Sequence, residues 1–164
     1  MPELFIMCGI PGSGKSTWAK KHLGKYDKYI SRDDVRFSII NDKDEYFSKE
    51  NEVFEEFCRQ INKNLRSGYN VFADATHTTR RGRKKLMDKI IDDVETSAIV
   101  IDTPLAVAVE RNSKRTGRKL VPTSAINNMY HHFEFPTHKE GFKTIYRVVS
   151  DDEPIQIIKS YKED

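Results

Sequence analysis

Residues 9–16 read Gly9-Ile10-Pro11-Gly12-Ser13-Gly14-Lys15-Ser16. The stretch fits the pattern G-x-x-x-x-G-K-[ST] in full. Its composition follows from its chemistry. Glycines let the chain curl so that successive backbone N–H groups point inward at phosphate oxygens. A helix opening near Lys15 adds its positive N-terminal end. The Lys15 amine reaches the β- and γ-phosphates of a nucleotide, and the Ser16 hydroxyl ligates Mg²⁺. Gly9, Pro11, Gly12, Ser13, Gly14, Lys15, Ser16 and Thr17 are therefore the expected cofactor-binding residues, with ATP and Mg²⁺ as cofactors and Ser16 as the metal ligand.

The surroundings supply the strand and helix this loop requires. Leu4 to Cys8 is a short apolar run ending at Gly9, which reads as a buried strand, and a helix is expected from about Lys15 to Leu23. Outward from there, Lys28–Ser31 is a weaker strand. Phe47, Phe54, Phe57, Cys58, Ile61 and Leu65 recur at helical spacing, with Gly68 as the C-terminal cap. Tyr69–Ala73 is strand-like and ends at Asp74. Thr78 or Thr79 caps a helix carrying Leu86, Ile90 and Ile91. Ser97–Ile101 is a strand, 104–115 and 123–133 are helices around a polar turn at 116–119, and Ile145–Val149 is a strand. Pro154–Tyr161 is ambiguous by periodicity. Short apolar strands alternating with helices predict an α/β fold. The expectation is a P-loop NTPase-type, mostly parallel sheet of about five strands flanked by helices, with a helical lid, in one domain over residues 1–164.

Composition agrees with that scale. The chain has 164 residues, 37% hydrophobic and 32% charged, and 28 basic against 25 acidic side chains leave a net +3. That excess neither demands nor forbids a nucleic-acid partner. No apolar run approaches the roughly 18–20 residues that span a bilayer, and no cationic region precedes the first apolar stretch. Cys8 and Cys58 lack ligand or disulfide spacing and read as core residues in a reducing, cytoplasmic compartment. His131, His132 and His138 read as a surface cluster rather than a metal site.

Ligands of parallel sheets bind at the carboxyl ends of the strands, so the polar residues there are the candidates. Asp74, ending an apolar strand, reads either as a Walker-B-type carboxylate or as a strand-end aspartate capping the next turn. No glutamate follows it, and no N-K-x-D run is present. Ser31-Arg32-Asp33-Asp34-Val35-Arg36 follows the second strand. A carboxylate there can take the proton of an attacking hydroxyl, and an arginine can neutralise an anionic substrate. Asp33 suits the chemistry, and Asp34 suits an N-cap for a helix beginning at Val35. Arg111 and Arg115, four apart on one helix face, begin a run of five cations in nine residues broken by Thr116-Gly117. Such a lid can bring an arginine finger to the transferring phosphoryl group. A second run, Arg80-Arg81-Gly82-Arg83-Lys84-Lys85, opens a helix where the dipole disfavours cations, which suits either a solvated face or docking of nucleic-acid phosphates.

Taken in order, the P-loop, Arg32-Asp33-Asp34-Val35-Arg36, Asp74, and Arg111-Asn112-Ser113-Lys114-Arg115 followed by Val121-Pro122 resemble the polynucleotide 5′-hydroxyl kinase family over about residues 3–135. The resemblance implies ATP-dependent phosphoryl transfer to the 5′-hydroxyl of a DNA or RNA end. It implies Asp33, Lys15 and Arg115 as catalytic residues, with Asp33 the general base and Arg115 on the donor's phosphates. Arg111 would lie beside the nucleotide, Arg36 would hold the acceptor's phosphate, Asp74 would brace the acceptor side, and Arg32 would complete that substrate-binding set. The bacteriophage enzyme of that family adds a phosphatase domain with a D-x-D-x-T motif. This sequence contains no such motif, so 3′-phosphatase activity is not expected. Three other readings stay open: a kinase of a nucleoside or other small metabolite, a kinase of a tRNA end, and a non-catalytic ATP-binding module.

Overall fold

The computed structural model describes residues 1–159. Six strands form one sheet: β1 (Glu3–Cys8), β2 (Asp27–Ser31), β3 (Asn70–Asp74), β4 (Glu95–Ile101), β5 (Ile145–Val148) and β6 (Gln156–Ile158). Their spatial order is β2-β3-β1-β4-β5-β6. The first five are parallel and β6 returns antiparallel to β5. The sheet thus has one strand beyond the expected five. It comes from the stretch whose periodicity was ambiguous, and residues 160 and 161 of that stretch lie outside the described residues.

Six α-helices accompany the strands: α1 (Lys15–His22), α2 (Arg32–Ile39), α3 (Glu50–Arg66), α4 (Arg80–Met87), α5 (Leu105–Ser113) and α6 (Thr123–His131). Alternation along β1 divides the core. Leu4, Ile6 and Cys8 face α2, α3 and α4, joining Val35, Phe54, Phe57, Ile61 and Leu86 in the larger cluster. Met7 faces the other way and packs with Trp18 and Ala19 of α1. A third cluster seats Ile10 of the loop against Ala108 of α5 and Ile126 of α6. Cys8 and Cys58 are buried and unpaired, as core residues should be. Burial pushes the Cys8 thiol up to about 12.

Several local expectations need correction. Helix α2 begins at Arg32 rather than Val35, and its cap is Ser31, whose Oγ accepts from the Asp34 N–H; Asp34 is therefore not the cap. Phe47 lies ahead of α3 and is exposed, because α3 starts at Glu50. Helix α4 is capped by Thr79 and stops at Met87, so Ile90 and Ile91 pack from the following turn. The turn between α5 and α6 carries one 3₁₀ turn, Gly117–Lys119. His138 is half-buried, with Nδ1 3.1 Å from the Phe142 carbonyl and Nε2 2.9 Å from that of Ile158, so the three histidines are not one surface cluster. Among the described residues no helix is long and apolar enough to cross a membrane, and no group of His, Cys, Asp and Glu is arranged to hold a metal ion.

Register carries this architecture to the site. Ser31, Asp74, Met7 and Ile99 stand opposite one another across β2, β3, β1 and β4. The loop after β1, the start of α2 and the end of β3 therefore open on one edge of the sheet.

Candidate active site

The glycine loop is shaped by its own backbone. Gly12 sits at φ 82° and Gly14 at φ 92°, left-handed values that cost a residue with a Cβ. A Cβ on Gly12 would also meet the Ala108 carbonyl oxygen at 2.3 Å. The Ser13 carbonyl is clasped twice, by Thr103 Oγ1 at 2.8 Å and Arg111 Nη1 at 3.1 Å. The Gly9 N–H donates to the Thr76 carbonyl at 2.9 Å, tying the loop to the chain that follows β3.

Helix α1 leaves this loop with Gly14 as its cap, no capping side chain and no acidic residue in its first turn. Its leading N–H groups therefore have no partner in the helix, and they face the same way as the loop. The Lys15 ammonium is buried and donates to the Gly9 carbonyl at 2.8 Å and the Ile10 carbonyl at 3.2 Å. Burial lowers the Lys15 pKa and the Arg115 charge lowers it further, while Asp74 and Asp33 oppose the shift. A buried cation, an uncapped helix N-terminus and a glycine cradle fit a nucleotide's phosphates, with the exposed Ser16 hydroxyl available to a Mg²⁺ ion beside them.

Asp74 ends β3 beside this lysine. It is buried and accepts a hydrogen bond from the Tyr29 hydroxyl. Burial raises its pKa, Asp33 and Asp34 add to the rise, and Lys15 and Tyr29 counter it. Burial therefore biases both members of the Lys15–Asp74 pair toward their neutral forms.

The opposite wall is made of charged side chains. Arg36 is 4% exposed and is held by Glu50 Oε1 at 2.7 Å, by the Tyr46 hydroxyl at 2.8 Å, and by Asp33. Its guanidinium also lies 4.2 Å from the centre of the Tyr46 ring. Asp33 is more than half exposed, and its Oδ1 receives both Arg36 and the Tyr46 hydroxyl. No hydrogen bond engages Oδ2 among the described residues. Arg32 shares Glu50, donating to Oε2 at 3.1 Å.

The lid run reaches both walls. The Arg115 side chain is exposed just past the end of α5, and its charge bears on Lys15. Arg118 crosses to the segment before α3, donating to the carbonyls of Asn41 at 3.0 Å and Asp44 at 3.2 Å.

The expected residues thus gather at one sheet edge. Lys15 lies within electrostatic reach of Asp33, Asp74 and Arg115, and Arg111 touches the loop. The sequence gives no warning of Tyr29, Tyr46, Glu50 and Thr103, whereas Arg118 belongs to the cationic run expected as a lid. Tyr46 and Glu50 flank an apolar residue in a charged stretch, and only the path of the chain brings them to Arg36.

The run at 80–85 does not act as one unit. Arg83 is fully buried, donating to Glu140 at 2.8 Å and to the His77 carbonyl at 2.8 Å, so it cannot dock a phosphate. His77 sits at φ 44° with Nδ1 2.6 Å from the Met7 carbonyl, and burial lowers its pKa to about 4.

A glycine cradle at the carboxyl edge of a mostly parallel sheet, with a cation-rich lid beside it, defines a P-loop nucleotide-binding fold of the kinase type. Residues 4–136 match the AAA domain family, and the chain belongs to it. A structure of the Pnkp1/Rnl/Hen1 RNA repair complex contains a similar chain, 29% identical with a TM-score of 0.71 over 87% of this chain and 46% of that one. A sugar kinase from Janibacter sp. HTCC2649 shares the fold at 16% identity, with a TM-score of 0.61 over 90% of this chain and 86% of its own. Transcription factor bHLH140 of Arabidopsis thaliana is 26% identical over 161 residues, 95% of this chain. The chain spans 17% of that relative's length and under half of the RNA-repair protein's.

Proposed function

We propose that the protein is an ATP-dependent kinase that phosphorylates the 5′-hydroxyl of a nucleic-acid end, with residues 1–164 acting as one kinase domain. The observation that carries this reading is the pairing of Asp33 with Arg36 opposite the buried Lys15. On this reading the pair supplies a base and an anion-binding group at the sheet edge that the phosphate loop shares, with the Asp33 charge bearing on Lys15. The likeness to a chain of an RNA repair complex supports the nucleic-acid acceptor.

Phosphoryl transfer needs positioning and charge neutralisation more than covalent chemistry. ATP supplies the transferred group, and Ser16 would hold a Mg²⁺ ion whose charge would offset that of the phosphates. Backbone N–H groups from Gly12 to Ser16 hold the phosphates. Arg111 stays beside the nucleotide through its grip on the loop. Lys15 and Arg115 neutralise the charge that develops in transfer. Asp33 accepts the proton of the attacking hydroxyl at Oδ2, the oxygen that Arg36 and Tyr46 leave open. Arg36, with Arg32 behind it, receives the acceptor's phosphate, and Asp74 keeps that side of the cleft in place through Tyr29.

The deciding experiment incubates the protein with ATP labelled at the γ-phosphate and a panel of acceptors: 5′-hydroxyl DNA and RNA oligonucleotides, nucleosides, tRNA ends and sugars. Label on oligonucleotide 5′ ends is the expected result. Label on a sugar or nucleoside alone would replace the reading with a small-molecule kinase. ATP binding with no transfer to any acceptor would leave a nucleotide-binding module.

A further inference from the structure

The cationic run on α4 is the sequence feature that the site above leaves unused, and the structure divides it. Arg83 is inside the protein. Lys84 pairs with Asp88 at 2.9 Å, and Arg80 lies 3.9 Å from Glu134. Lys85 goes elsewhere: its ammonium sits 4.5 Å from the centre of the Phe54 ring in α3. The Arg32 guanidinium lies over the same ring at 5.4 Å. Cations from α2 and α4 thus converge on one aromatic side chain, and the α2 cation, Arg32, is the sequence neighbour of Asp33. Arg32 keeps a buried Nε with no hydrogen-bond partner, and Lys85 has no ion-pair partner among the described residues. One helical turn on, Cys58 feels the positive charges of Arg32, Lys89 and Lys85 together. Beside them is a cavity of about 230 Å³ lined by Phe54, Glu55, Cys58, Arg59, Asn62 and Lys89.

A single anion needs one or two cations, and Arg36 with Arg32 already supplies them. A line of further cations leading away from the reacting end suits a repeating anion. Ring contacts hold Arg32 and Lys85 at Phe54 before any ligand arrives. We propose that Lys85 and Lys89, continuing from Arg32, form a phosphate track that receives internucleotide phosphates of the acceptor strand beyond the one nearest Asp33. The track makes the protein favour strands over mononucleotides. This rests on the proposed 5′-hydroxyl kinase reading.

The test compares the unaltered protein with Lys85→Glu and, separately, Lys89→Glu. One acceptor is a 5′-hydroxyl oligonucleotide of about twelve nucleotides, long enough for several phosphate contacts. The other is a nucleoside 3′-monophosphate. Both kcat/KM and the binding of a fluorescent oligonucleotide across a salt series are measured. Each variant should lose about fivefold or more in oligonucleotide binding and kcat/KM, and the slope of log K against log salt should fall by about 1. Turnover of the nucleoside 3′-monophosphate should not change. Unaltered oligonucleotide binding in both variants, or equal loss with both acceptors, would overturn the track. A protein that transfers phosphate to no nucleic acid yet binds the oligonucleotide in a Lys85-dependent way would keep the track and remove the kinase reading. A protein that phosphorylates metabolites and does not bind the oligonucleotide would remove both.

Discussion

The two walls of the cleft are built on opposite principles. The loop from Gly9 to Ser16 presents main chain, shaped by two left-handed glycines, by a carbonyl that the Thr103 and Arg111 side chains clasp, and by an N–H tied to the Thr76 carbonyl. The wall from Arg32 to Glu50 is side chain held by side chain: Arg36 on Glu50, Tyr46 and Asp33, and Arg32 sharing the same glutamate. The first fails when a Cβ is added. The second depends most on Glu50, the anion that the buried Arg36 and its neighbour Arg32 share. A nucleotide-binding surface can thus be rigid by sterics while the surface facing it is tunable by chemistry.

The largest expected effect breaks the backbone wall. Gly12→Ala forces a Cβ against Ala108 at a left-handed φ, so the loop must open or α5 must move. The thermal stabilisation given by ATP·Mg²⁺ should disappear in a melting series. A full ATP-dependent shift in that variant would show the loop to be less rigid than its geometry implies. On the opposite wall, Asp33→Asn keeps the shape and removes the proposed base. Phosphorylation should fall by about 10² or more with nucleotide binding nearly intact, on the usual scale for a general base. Equal losses of binding and turnover would show that the two walls do not divide their labour.

Two smaller effects test stability rather than chemistry. Glu50→Gln leaves Arg36 and Arg32 without their shared anion, and the protein should lose about 2–3 kcal/mol in denaturant unfolding. No loss would mean that Tyr46 and Asp33 alone hold Arg36. His77 belongs to the backbone side, bonded to the Met7 carbonyl. Its folded pKa of about 4 lies below the ordinary value of 6.5, so between these the unfolded chain binds a proton that the native protein refuses. That contribution is complete above pH 6.5 and is lost as pH falls toward 4. From pH 7 to 5 the loss should be roughly 1.5–2 kcal/mol, and His77→Asn, which tolerates the positive φ, should flatten it.

The same contrast explains what the amino-acid order reveals. The phosphate loop is contiguous, and its glycines and lysine announce their roles by spacing. The parallel sheet was legible for the same reason, since each buried strand is a short apolar run ended by Gly9, Asp74 or Asp102. Asp33, Asp74, Arg111 and Arg115 were legible as polar residues at strand or helix ends. Tyr46 and Glu50 were not, because only the fold of the 40–50 segment carries them back to Arg36. The run at 80–85 shows the limit most plainly. Its five cations in six positions include a buried structural arginine, a lysine in a local pair and a lysine on Phe54. Charge is written in the sequence, but the direction a side chain faces depends on the helix phase and on its neighbours.

The seating of Gly12 on Ala108 has a mechanical consequence. Backbone meets backbone there, and Arg111 grips Ser13 one turn further along α5. Helix α5 is therefore welded to the loop at its middle, like a lever pinned at its fulcrum. Swinging of the cation-rich turn must bend the chain beyond Arg111, and Arg115 travels on the short free arm. The arm's reach is set from the very loop whose lysine feels its arginine's charge.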